Sequence, residues 1–452
     1  MSELNDEFRD SIGTITAEGD RKWIFAKKPF GKLYNARTIV SYLYLLVFFA
    51  LPWIKVNGEP LFMFNLIERK FILFGTIFWP QDFFLFVIAM LTFMVFVVLF
   101  TVVFGRLFCG WICPQTIFME MVFRKIEYWI EGDAEKQKRL NDAEWNKEKV
   151  LKRGAKFFAF FGFSFIIAHY FLAYIIGMDA VVQYMSEGLV NHIGTFIPLV
   201  VFSFVFFAVY WRFREQACII VCPYGRLQGV MLDPNSIVVA YDYVRGEPRG
   251  KIKRHAEPEK KLGDCIDCMA CVKVCPTGID IRNGTQLECV NCTACIDACD
   301  QVMDKVGYDK GLIRYTSERA MLEHMDNKKA RHYIFRPRVL VYIGIMSVLL
   351  IAFASSVFLR NPLRVDVMRD RGALAREIEG TKIENVYRLQ IMNAAEETLS
   401  FHLHVDGLPG LLLASESAVQ VNATESRWVS VQLQVPYDAA PSGSHPIQFH
   451  IE

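Results

Sequence analysis

The sequence lacks several features that would point to common classes of protein. Its net charge is only +2, from 50 Lys and Arg against 48 Asp and Glu, so nothing indicates a polyelectrolyte surface for nucleic acid. The first ten residues, MSELNDEFRD, are polar and acidic, and we expect no cleaved signal peptide. No G-x-G-x-x-G follows a strand-like run, so we expect no nicotinamide or FAD domain. Electrons would then come from a separate protein, a quinol or a cofactor held without a motif.

Cysteine is absent before Cys109 and after Cys299, although the chain has 12 cysteines. A secreted disulfide framework would be spread differently along the chain. The cysteines are grouped instead at gaps of two and three residues. This grouping indicates metal binding in a reducing compartment.

Charge is scarce in several long apolar blocks. Hydrophobic residues make up 53% of the chain, and 38 residues are Phe. Five runs approach the ~20 residues that cross a bilayer, and they cover residues 39–54, 83–104, 157–176, 195–211 and 339–359. A shorter piece at residues 71–80, FILFGTIFWP, is predicted to be interfacial or re-entrant, with Pro80 breaking it before the second span.

The segments between these runs differ in their content of Lys and Arg. Basic residues are frequent before the first span, after the second and across residues 212–338, whereas residues 178–194 contain none. The positive-inside rule predicts a multi-pass protein of a bacterial inner membrane with its N-terminus in the cytoplasm. Five spans would place the C-terminus in the periplasm. Residues 361–452 alternate polar and apolar with period two, which predicts an immunoglobulin-like β-sandwich there.

Two runs with the spacing C-x2-C-x2-C-x3-C lie between the fourth and fifth spans, and together they are the signature of a two-cluster bacterial ferredoxin. In such runs three cysteines bind one [4Fe–4S] cluster and the fourth crosses to the other. One cluster would use Cys265, Cys268, Cys271 and Cys299, and the other would use Cys289, Cys292, Cys295 and Cys275. Zinc is the alternative, but no histidine lies among these cysteines. Asp300 replaces the proline expected after the last cysteine and removes no ligand.

Two further cysteine pairs, CGWICP and CIIVCP, follow the second and fourth spans and repeat the skeleton C-x3-C-P. Residues four apart share one face of a helix, so each pair is expected to present two sulfurs together, with the proline ending or kinking the helix. We predict one four-thiolate site with a catalytic or metal-binding role, formed by Cys109, Cys113, Cys218 and Cys222. A thiol–disulfide relay, a copper station and ligation of another cofactor stay open. Ordinary packing of small buried residues is the alternative.

Histidine and methionine supply weaker candidates. His169 lies inside the third span, where an ionisable residue is a candidate haem or copper ligand; the alternative is a neutral ring bonded to a neighbouring helix. Met178, Met185 and His192 are spaced seven apart, but packing is the favoured interpretation. His402 and His404 alternate on one predicted strand, where an exposed face without metal is favoured.

A family resemblance rests on four segments: GRLFCGWICPQTIF, VCPYGRLQGVM, CIDCMACVKVCPTGIDIRNG and LECVNCTACIDACDQVMDKVGYDKGLIRY. They resemble the CcoG/RdxA/FixG family of cytochrome c oxidase accessory proteins, and the resemblance covers essentially the whole chain. It implies a membrane-bound cupric reductase that reduces Cu(II) to Cu(I) with two [4Fe–4S] clusters. It further implies copper ions, copper-transport proteins and the assembly proteins of cbb-type oxidase as partners, with an unknown electron donor.

The predicted domains follow one another along the chain. A cytoplasmic segment at 1–37 precedes a four-helix membrane region at 38–235, which contains both C-x3-C-P motifs. A ferredoxin domain at 236–338, a fifth span at 339–360 and the sandwich at 361–452 complete the order. Two other functions stay open: a quinol-linked conduit that hands electrons to a periplasmic partner, and an assembly scaffold whose clusters are structural.

Overall fold

A computed structural model describes most of the chain: residues 14–15, 20–56, 58–65, 70–74, 76–78, 83–188, 191–251, 262–323, 335–359, 363–370, 375–378, 381–393, 398–422, 425–441 and 443–452. The acidic start of the chain and Pro80 lie outside these residues, and so does the break predicted at Pro80. The chain divides into two compact units. The first comprises Met1–Met63 and Ala89–Leu350, and the second comprises Phe64–Ile88 and Ile351–Glu452.

Five helices of the described chain are long and apolar enough to cross a membrane, which confirms the predicted number. They are α1 (Lys32–Ala50, extended by a 3-10 turn at Leu51–Trp53), α2 (Phe83–Phe104), α7 (Lys147–Ile176), α9 (Ile193–Ala208, continued by a π-helix at Val209–Phe213) and α15 (Pro337–Phe358). Helix α7 begins ten residues before the predicted apolar run. Its first turns are polar, and the side chain of Asn146 caps the Lys149 N–H at 2.8 Å.

Short helices connect these spans. They are α3 (Leu107–Trp111), α4 (Pro114–Thr116), a π-helix at Ile117–Phe123, α5 (Arg124–Ile130), α6 (Ala134–Asp142), α8 (Met178–Glu187), a π-helix at Ala217–Val221 and α10 (Pro223–Met231). An aromatic core fixes the π-helix at Ile117–Phe123 between α7 and α9: Phe123 packs on Phe160 and stacks on Tyr210, with ring centroids 4.8 and 4.5 Å apart.

The ferredoxin region has a two-stranded antiparallel sheet, β6 (Val238–Tyr241) with β7 (Ile313–Thr316), and the helices α11 (Tyr243–Gly246), α12 (Ala270–Lys273), α13 (Ala294–Val306) and α14 (Glu318–Leu322). A 3-10 turn lies at Ile281–Asn283. The carboxylate of Asp297 in α13 accepts hydrogen bonds from Leu33 N and Tyr34 N, at 3.2 and 2.7 Å. It therefore caps the start of α1 and attaches the ferredoxin region to the first span.

The segment predicted to be interfacial or re-entrant forms strands, and its place relative to a membrane stays a prediction. Strands β4 (Lys70–Leu73) and β5 (Thr76–Phe78) pair antiparallel beside β3 (Phe62–Asn65). The turn between them begins at Phe74, which has a left-handed φ of 53°. A small separate ladder, β1 (Lys55–Val56) with β2 (Glu59–Pro60), precedes them. The aromatic and β-branched content of the segment suits a hairpin.

The C-terminal domain is the predicted sandwich of two antiparallel sheets. One contains β8 (Leu363–Arg369), β9 (Arg376–Ile378), β10 (Lys382–Asn393), β12 (Leu412–Leu413) and β14 (Ser426–Pro436). The other contains β11 (Leu399–Asp406), β13 (Ala418–Val421) and β15 (Gln448–Ile451). Inward-facing residues of both sheets, among them Leu389, Leu403 and Val431, are fully buried between them.

Candidate iron–sulfur and thiol site

A first cavity of the ferredoxin region is lined by Cys265, Cys268, Cys271 and Cys299. Three of these thiols come from one loop and the turn that follows it, and Cys299 comes from α13. Asp267 and Met269 have φ angles of 52° and 59°. These left-handed conformations wind the loop around the cavity. The cavity thus collects the same four residues that the spacing assigns to one cluster.

A second cavity is lined by Cys275, Cys289, Cys292 and Cys295, with Cys271 also on its wall. Asn291 and Thr293 have φ angles of 53° and 65°, at the positions equivalent to Asp267 and Met269. The two cysteine runs therefore adopt the same loop conformation. Each run supplies three thiols to one cavity and its fourth thiol to the other.

The chemistry of these thiols fits iron–sulfur clusters. Burial raises the pKa of Cys271, Cys289 and Cys299 to about 12 and that of Cys292 to about 11. Buried thiols of this kind become thiolates only when a cation compensates the charge. Within the described residues, no three His, Cys, Asp or Glu side chains are close enough to hold one metal ion. The spacing of the two runs and the four thiols that line each cavity suit a [4Fe–4S] cubane in each.

Two donors beside the second cavity support the same conclusion. Arg37 Nη2 and Asn291 Nδ2 are buried and have no hydrogen-bond acceptor among the described residues. Asn291 lies between Cys289 and Cys292 in the loop, and the charge of Arg37 acts on Cys292. The sulfur atoms of a bound cluster accept hydrogen bonds of this kind. The cavity thus offers both ligands and donors for a [4Fe–4S] group.

The four remaining cysteines, which we call the thiol site, lie at two breaks between helices. Cys109 is in α3 and Cys113 precedes α4, while Cys218 is in a π-helix and Cys222 precedes α10. The prediction that each pair shares one face of a continuous helix is wrong, because Cys113 and Cys222 are extended, with ψ angles of 125° and 110°.

The prolines of the two motifs begin helices rather than ending them. Pro114 and Pro223 occupy the first turns of α4 and α10, directly after Cys113 and Cys222. At that position the missing N–H of proline has no partner to lose, and its fixed φ already suits a helix. The proline therefore sets the point at which each chain segment changes direction behind its second cysteine.

The two thiol pairs lie close to each other. Burial raises the pKa of Cys218 to about 12, and the charges of Cys113, Cys109 and Cys222 add to this effect. Burial also raises the pKa of Cys109, with Arg106 opposing the rise. Cys218 is therefore within electrostatic range of the other three cysteines. These four thiols belong to the described residues, among which no three His, Cys, Asp or Glu side chains are close enough to hold one metal ion.

Cys109 of the first thiol pair packs directly on residues that line the second cavity. Cys109 belongs to one buried cluster with Val274, Val290 and Cys292, and Cys295 packs against it. A Cβ atom on Gly110 would stand 2.4 Å from the carbonyl oxygen of Val290. Only a glycine allows two backbone segments to approach this closely. The thiol site and the second cavity thus share a common wall.

A buried network of charges surrounds the second thiol pair. Glu215, three residues before Cys218 and fully buried, accepts ion pairs from Arg21, Arg124 and Arg214 at 3.1, 3.8 and 3.6 Å. Arg214 also pairs with Glu127 at 3.0 Å. Burial alone would raise the pKa of Glu127, but Arg214, Lys156 and Arg124 hold it at about 2. The network fixes the short helices that hold the thiols.

The weaker candidates are placed as follows. His169 lines a small cavity together with Met185 and His192, which the sequence did not bring together with His169. Its Nδ1 lies 2.8 Å from the carbonyl oxygen of Phe165 in its own helix, not in a neighbouring one. His192 pairs with Glu187 at 2.6 Å. Met178 is buried against Val181 and Leu172, which line this cavity, but does not line it itself, and His402 and His404 are exposed on β11.

Sequence reasoning missed two residues of the site. Arg106 and Gln228 are buried, and the Oε1 atom of Gln228 accepts hydrogen bonds from Arg106 Nε at 2.9 Å and from Cys109 Sγ at 3.3 Å. The only signal for Arg106 is a lone cation between an apolar run and a cysteine. Gln228 gives no signal, because its proximity to Cys109 arises from tertiary packing.

The matches to known families agree with this arrangement. Residues 86–133, which include the first thiol pair, match a family described as a 4Fe-4S binding domain. Residues 213–318, which include the second pair and both cavities, match a 4Fe-4S dicluster domain. Residues 353–452 match the IG-like fold at the C-terminal of FixG. Five apolar helices and two thiol-lined cavities define this protein as a membrane iron–sulfur oxidoreductase.

Three curated relatives are similar over most of their length. The chain is 33% identical to Protein RdxB of Cereibacter sphaeroides over 91% of this chain and 89% of that protein. It is 33% identical to the nitrogen fixation protein FixG of Rhizobium meliloti, covering 86% and 80% of the two chains. Protein RdxA of Cereibacter sphaeroides is 32% identical, with 94% and 90% covered. The chain belongs to the FixG/RdxA/CcoG family.

Proposed function

We propose that this protein reduces Cu(II) to Cu(I) at the thiol site and supplies the Cu(I) for assembly of a cbb-type cytochrome c oxidase. The observation that carries the proposal is the shared wall between the thiol site and the second cavity, where Cys109 and Cys292 belong to one buried cluster. Electrons that reach the second cavity have a short way to Cys109.

The eight ferredoxin cysteines hold two [4Fe–4S] clusters in this proposal. Cys265, Cys268, Cys271 and Cys299 line the first cavity, and Cys275, Cys289, Cys292 and Cys295 line the second. When bound, each cluster supplies one electron at a time. The chain holds the two groups side by side, with Cys271 on the walls of both cavities.

Copper suits the chemistry of the thiol site. Thiolates are soft ligands that prefer Cu(I) to harder ions. Each Cu(II) that binds takes one electron and leaves as Cu(I), so two electrons release two Cu(I) ions. The buried thiols Cys109 and Cys218 resist ionisation by themselves, so a bound copper cation favours their deprotonation and the protons leave to solvent.

The proposed orientation places the thiol site and both cavities on the cytoplasmic side. It rests on the basic residues that flank α1, α2 and α9 and on five spans with a C-terminal sandwich beyond the last. The sandwich would then lie in the periplasm, where oxidase-assembly proteins are its proposed partners.

Steady-state copper reduction by the purified, cluster-loaded protein tests the proposal. Cu(I) is captured by a colorimetric chelator while an excess of a chemical reductant feeds the clusters. Serine replacements of Cys109, Cys113, Cys218 and Cys222 are expected to slow the rate at least tenfold, with iron content unchanged. His404→Ala, which removes an exposed histidine of the sandwich, is the control for adventitious copper and is expected to keep the rate. Wild-type rates in all four serine variants would refute the role of the thiol site.

A quinol-linked conduit is the second candidate function. A cavity of about 300 Å³ beside Arg106 favours it, because this volume reaches the lower range of small-molecule sites. The cavity adjoins the second cluster loop through Gln286, Leu287 and Glu288. Reduction of the bound clusters by a short-chain quinol, without copper reduction, would favour this candidate. Support of oxidase assembly by protein that lacks clusters would favour a scaffold instead.

A further inference from the structure

Arg106 is a buried cation at the junction of the thiol site and the second cavity. It follows Gly105, whose φ of 55° turns the chain out of α2, and only 4% of its surface is exposed. Burial of a guanidinium requires partners, and here they are hydrogen-bond acceptors rather than carboxylates. No carboxylate lies within ion-pair distance of Arg106 in the part of the chain that the structure describes.

The guanidinium of Arg106 connects three segments. Its Nε donates to Gln228 Oε1 at 2.9 Å, the oxygen that also accepts from Cys109 Sγ at 3.3 Å. Its Nη1 donates to the carbonyl oxygen of Leu287, two residues before Cys289. Its Nη2 would stand 2.9 Å from a Cβ on Gly225, a position also 2.7 Å from the carbonyl oxygen of Cys218. One side chain thus joins both thiol motifs to the second cluster loop.

A second unneutralised cation stands on the other side of the same wall. Arg37 is 2% exposed, and its Nε donates to the carbonyl oxygen of Gly110 at 2.6 Å. The described residues give Arg37 no ion pair either. The charge of Arg106 acts on Cys289, and that of Arg37 acts on Cys292. Glu120 opposes Arg37 at Cys292, but it is itself paired with Arg124 at 3.2 Å. Two buried arginines therefore act on thiols of the second cavity.

The first cavity has a different electrostatic environment. Its nearest arginine, Arg282, is neutralised by two carboxylates, Asp267 at 2.5 Å and Asp280 at 2.6 Å. Asp280 and Asp300 also act on thiols of this cavity, Cys271 and Cys299. The arginine of the first cavity is therefore neutralised, whereas Arg106 and Arg37 beside the second cavity have no ion pair among the described residues, and the one carboxylate that acts there, Glu120, is paired with Arg124.

We propose that the buried charge of Arg106 raises the reduction potential of the cluster in the second cavity above that of the cluster in the first. This inference rests on the proposed function in assigning a cluster to each cavity. A reduced cluster carries one more negative charge than an oxidised one, and a buried cation in a low dielectric stabilises that state. One electron would then leave the first cluster, which becomes oxidised, and enter the second cluster, which becomes reduced. The electron would then reside on the cluster that is next to Cys109.

The charge difference therefore gives the electron path a direction, from the first cavity to the thiol site. Gln228 supports this electron path because its Oε1 atom accepts hydrogen bonds from both Arg106 and Cys109. Gln228 is neutral, so it positions Arg106 without cancelling its charge. A carboxylate at this position would make the same contacts and neutralise the cation.

A redox titration followed by electron paramagnetic resonance tests the inference on the cluster-loaded protein, without copper. Cys299→Ser, which removes a thiol of the first cavity, identifies the signal of the second cluster. In Arg106→Gln, the equilibrium constant for electron transfer from the first cluster to the second is expected to fall at least tenfold. This corresponds to a decrease of about 59 mV in the potential of the second cluster relative to the first. Arg106→Lys retains the charge and is expected to keep most of the potential. Arg226→Gln, which removes an exposed arginine of α10, is the matched control and is expected to shift neither cluster.

Gln228→Glu keeps the shape of the site and is the second variant, should Arg106→Gln fail to fold with its clusters. It is expected to lower the potential of the second cluster alone, in the same direction. An unchanged potential in Gln228→Glu, or equal shifts of both clusters, would overturn the inference. Because the titration contains no copper, a wild-type protein with the predicted order of potentials but no copper reduction would refute only the proposed function.

Discussion

Gly110 of the first thiol motif and Val290 of the second cluster loop approach each other so closely that a side chain between them is excluded. A Cβ on Gly110 would stand 2.4 Å from Val290 O and 2.8 Å from Asn291 O. Both neighbours are backbone atoms, which cannot swing aside as a flexible side chain can. This contact sets the distance between Cys109 and the second cavity.

Gly110→Ala is expected to push the first thiol motif away from the cluster loop. The cost of forcing one methyl group into a packed site is about 1–3 kcal/mol. We expect a lower Tm and slower reduction of copper, with the signal of the first cluster retained. Gly154→Ala, in α7 with nothing within 4 Å of its Cβ position, is the control and is expected to lower neither property, since alanine favours a helix interior over glycine. Equal behaviour of the two variants would show that the contact does not matter.

Cys275→Ser and Cys299→Ser test the exchange of thiols between the two runs. Each serine is expected to remove the cluster built mainly by the other run, because Cys275 lines the second cavity and Cys299 the first. Iron content should fall from about eight atoms per chain to about four in each variant. The remaining paramagnetic signal should differ between the two. If Cys275→Ser lost the first cluster instead, the assignment of thiols to cavities would be wrong.

The cysteine spacing predicted which thiols share each cavity, because runs of this spacing give three thiols to one cluster and the fourth to the other. The spacing of the thiol pairs was less informative. Whether Cys109 and Cys113 share one helix depends on Pro114, which the structure shows beginning α4. A proline after a motif can end one helix or start the next, and the sequence alone does not distinguish these cases.

Glu127→Gln is expected to destabilise the protein by about 3–5 kcal/mol at neutral pH, because Arg214 and Lys156 lose their buried partner. The folded pKa of Glu127 is about 2, below the ordinary value of 4.5. Its contribution is therefore complete above pH 4.5 and is lost as the pH falls towards 2. The difference in Tm between wild type and variant should narrow over that window.

Glu148→Gln is the matched control for that experiment. Glu148 pairs with Lys152 at 2.6 Å on the exposed start of α7, where solvent screens the interaction. We expect its Tm to follow the wild type at each pH. A difference for Glu127→Gln that stayed constant down to pH 2 would contradict the ion-pair account.

Reporter fusions test the proposed orientation. Green fluorescent protein attached before Met1 is expected to fluoresce, because it would stay in the cytoplasm. Alkaline phosphatase attached after Glu452 is expected to be active, because its disulfides form only in the periplasm. Phosphatase inserted at Gly250 of the ferredoxin region should be inactive. An active phosphatase at Gly250 would place the thiol site on the opposite side.

Tertiary packing accounts for what the sequence could not predict. Arg106 and Gln228 are 122 residues apart, and their contact with Cys109 exists only because α10 folds back against α3. That His169 and His192 line one cavity was hidden for the same reason, since His192 lies beyond α8 in the chain. The apolar run at residues 71–80 did not predict the hairpin of β4 and β5, because short apolar runs suit strands and helices equally.

A single-turnover experiment tests most directly the claim that electrons leave through the thiol site. The clusters are reduced without oxygen, excess reductant is removed, and the protein is mixed rapidly with Cu(II) while cluster absorbance and Cu(I) are recorded together. The account predicts one Cu(I) for each electron lost, and at least tenfold slower transfer in Cys109→Ser and Cys218→Ser, with unchanged cluster potentials. Transfer at the wild-type rate in both variants would contradict it.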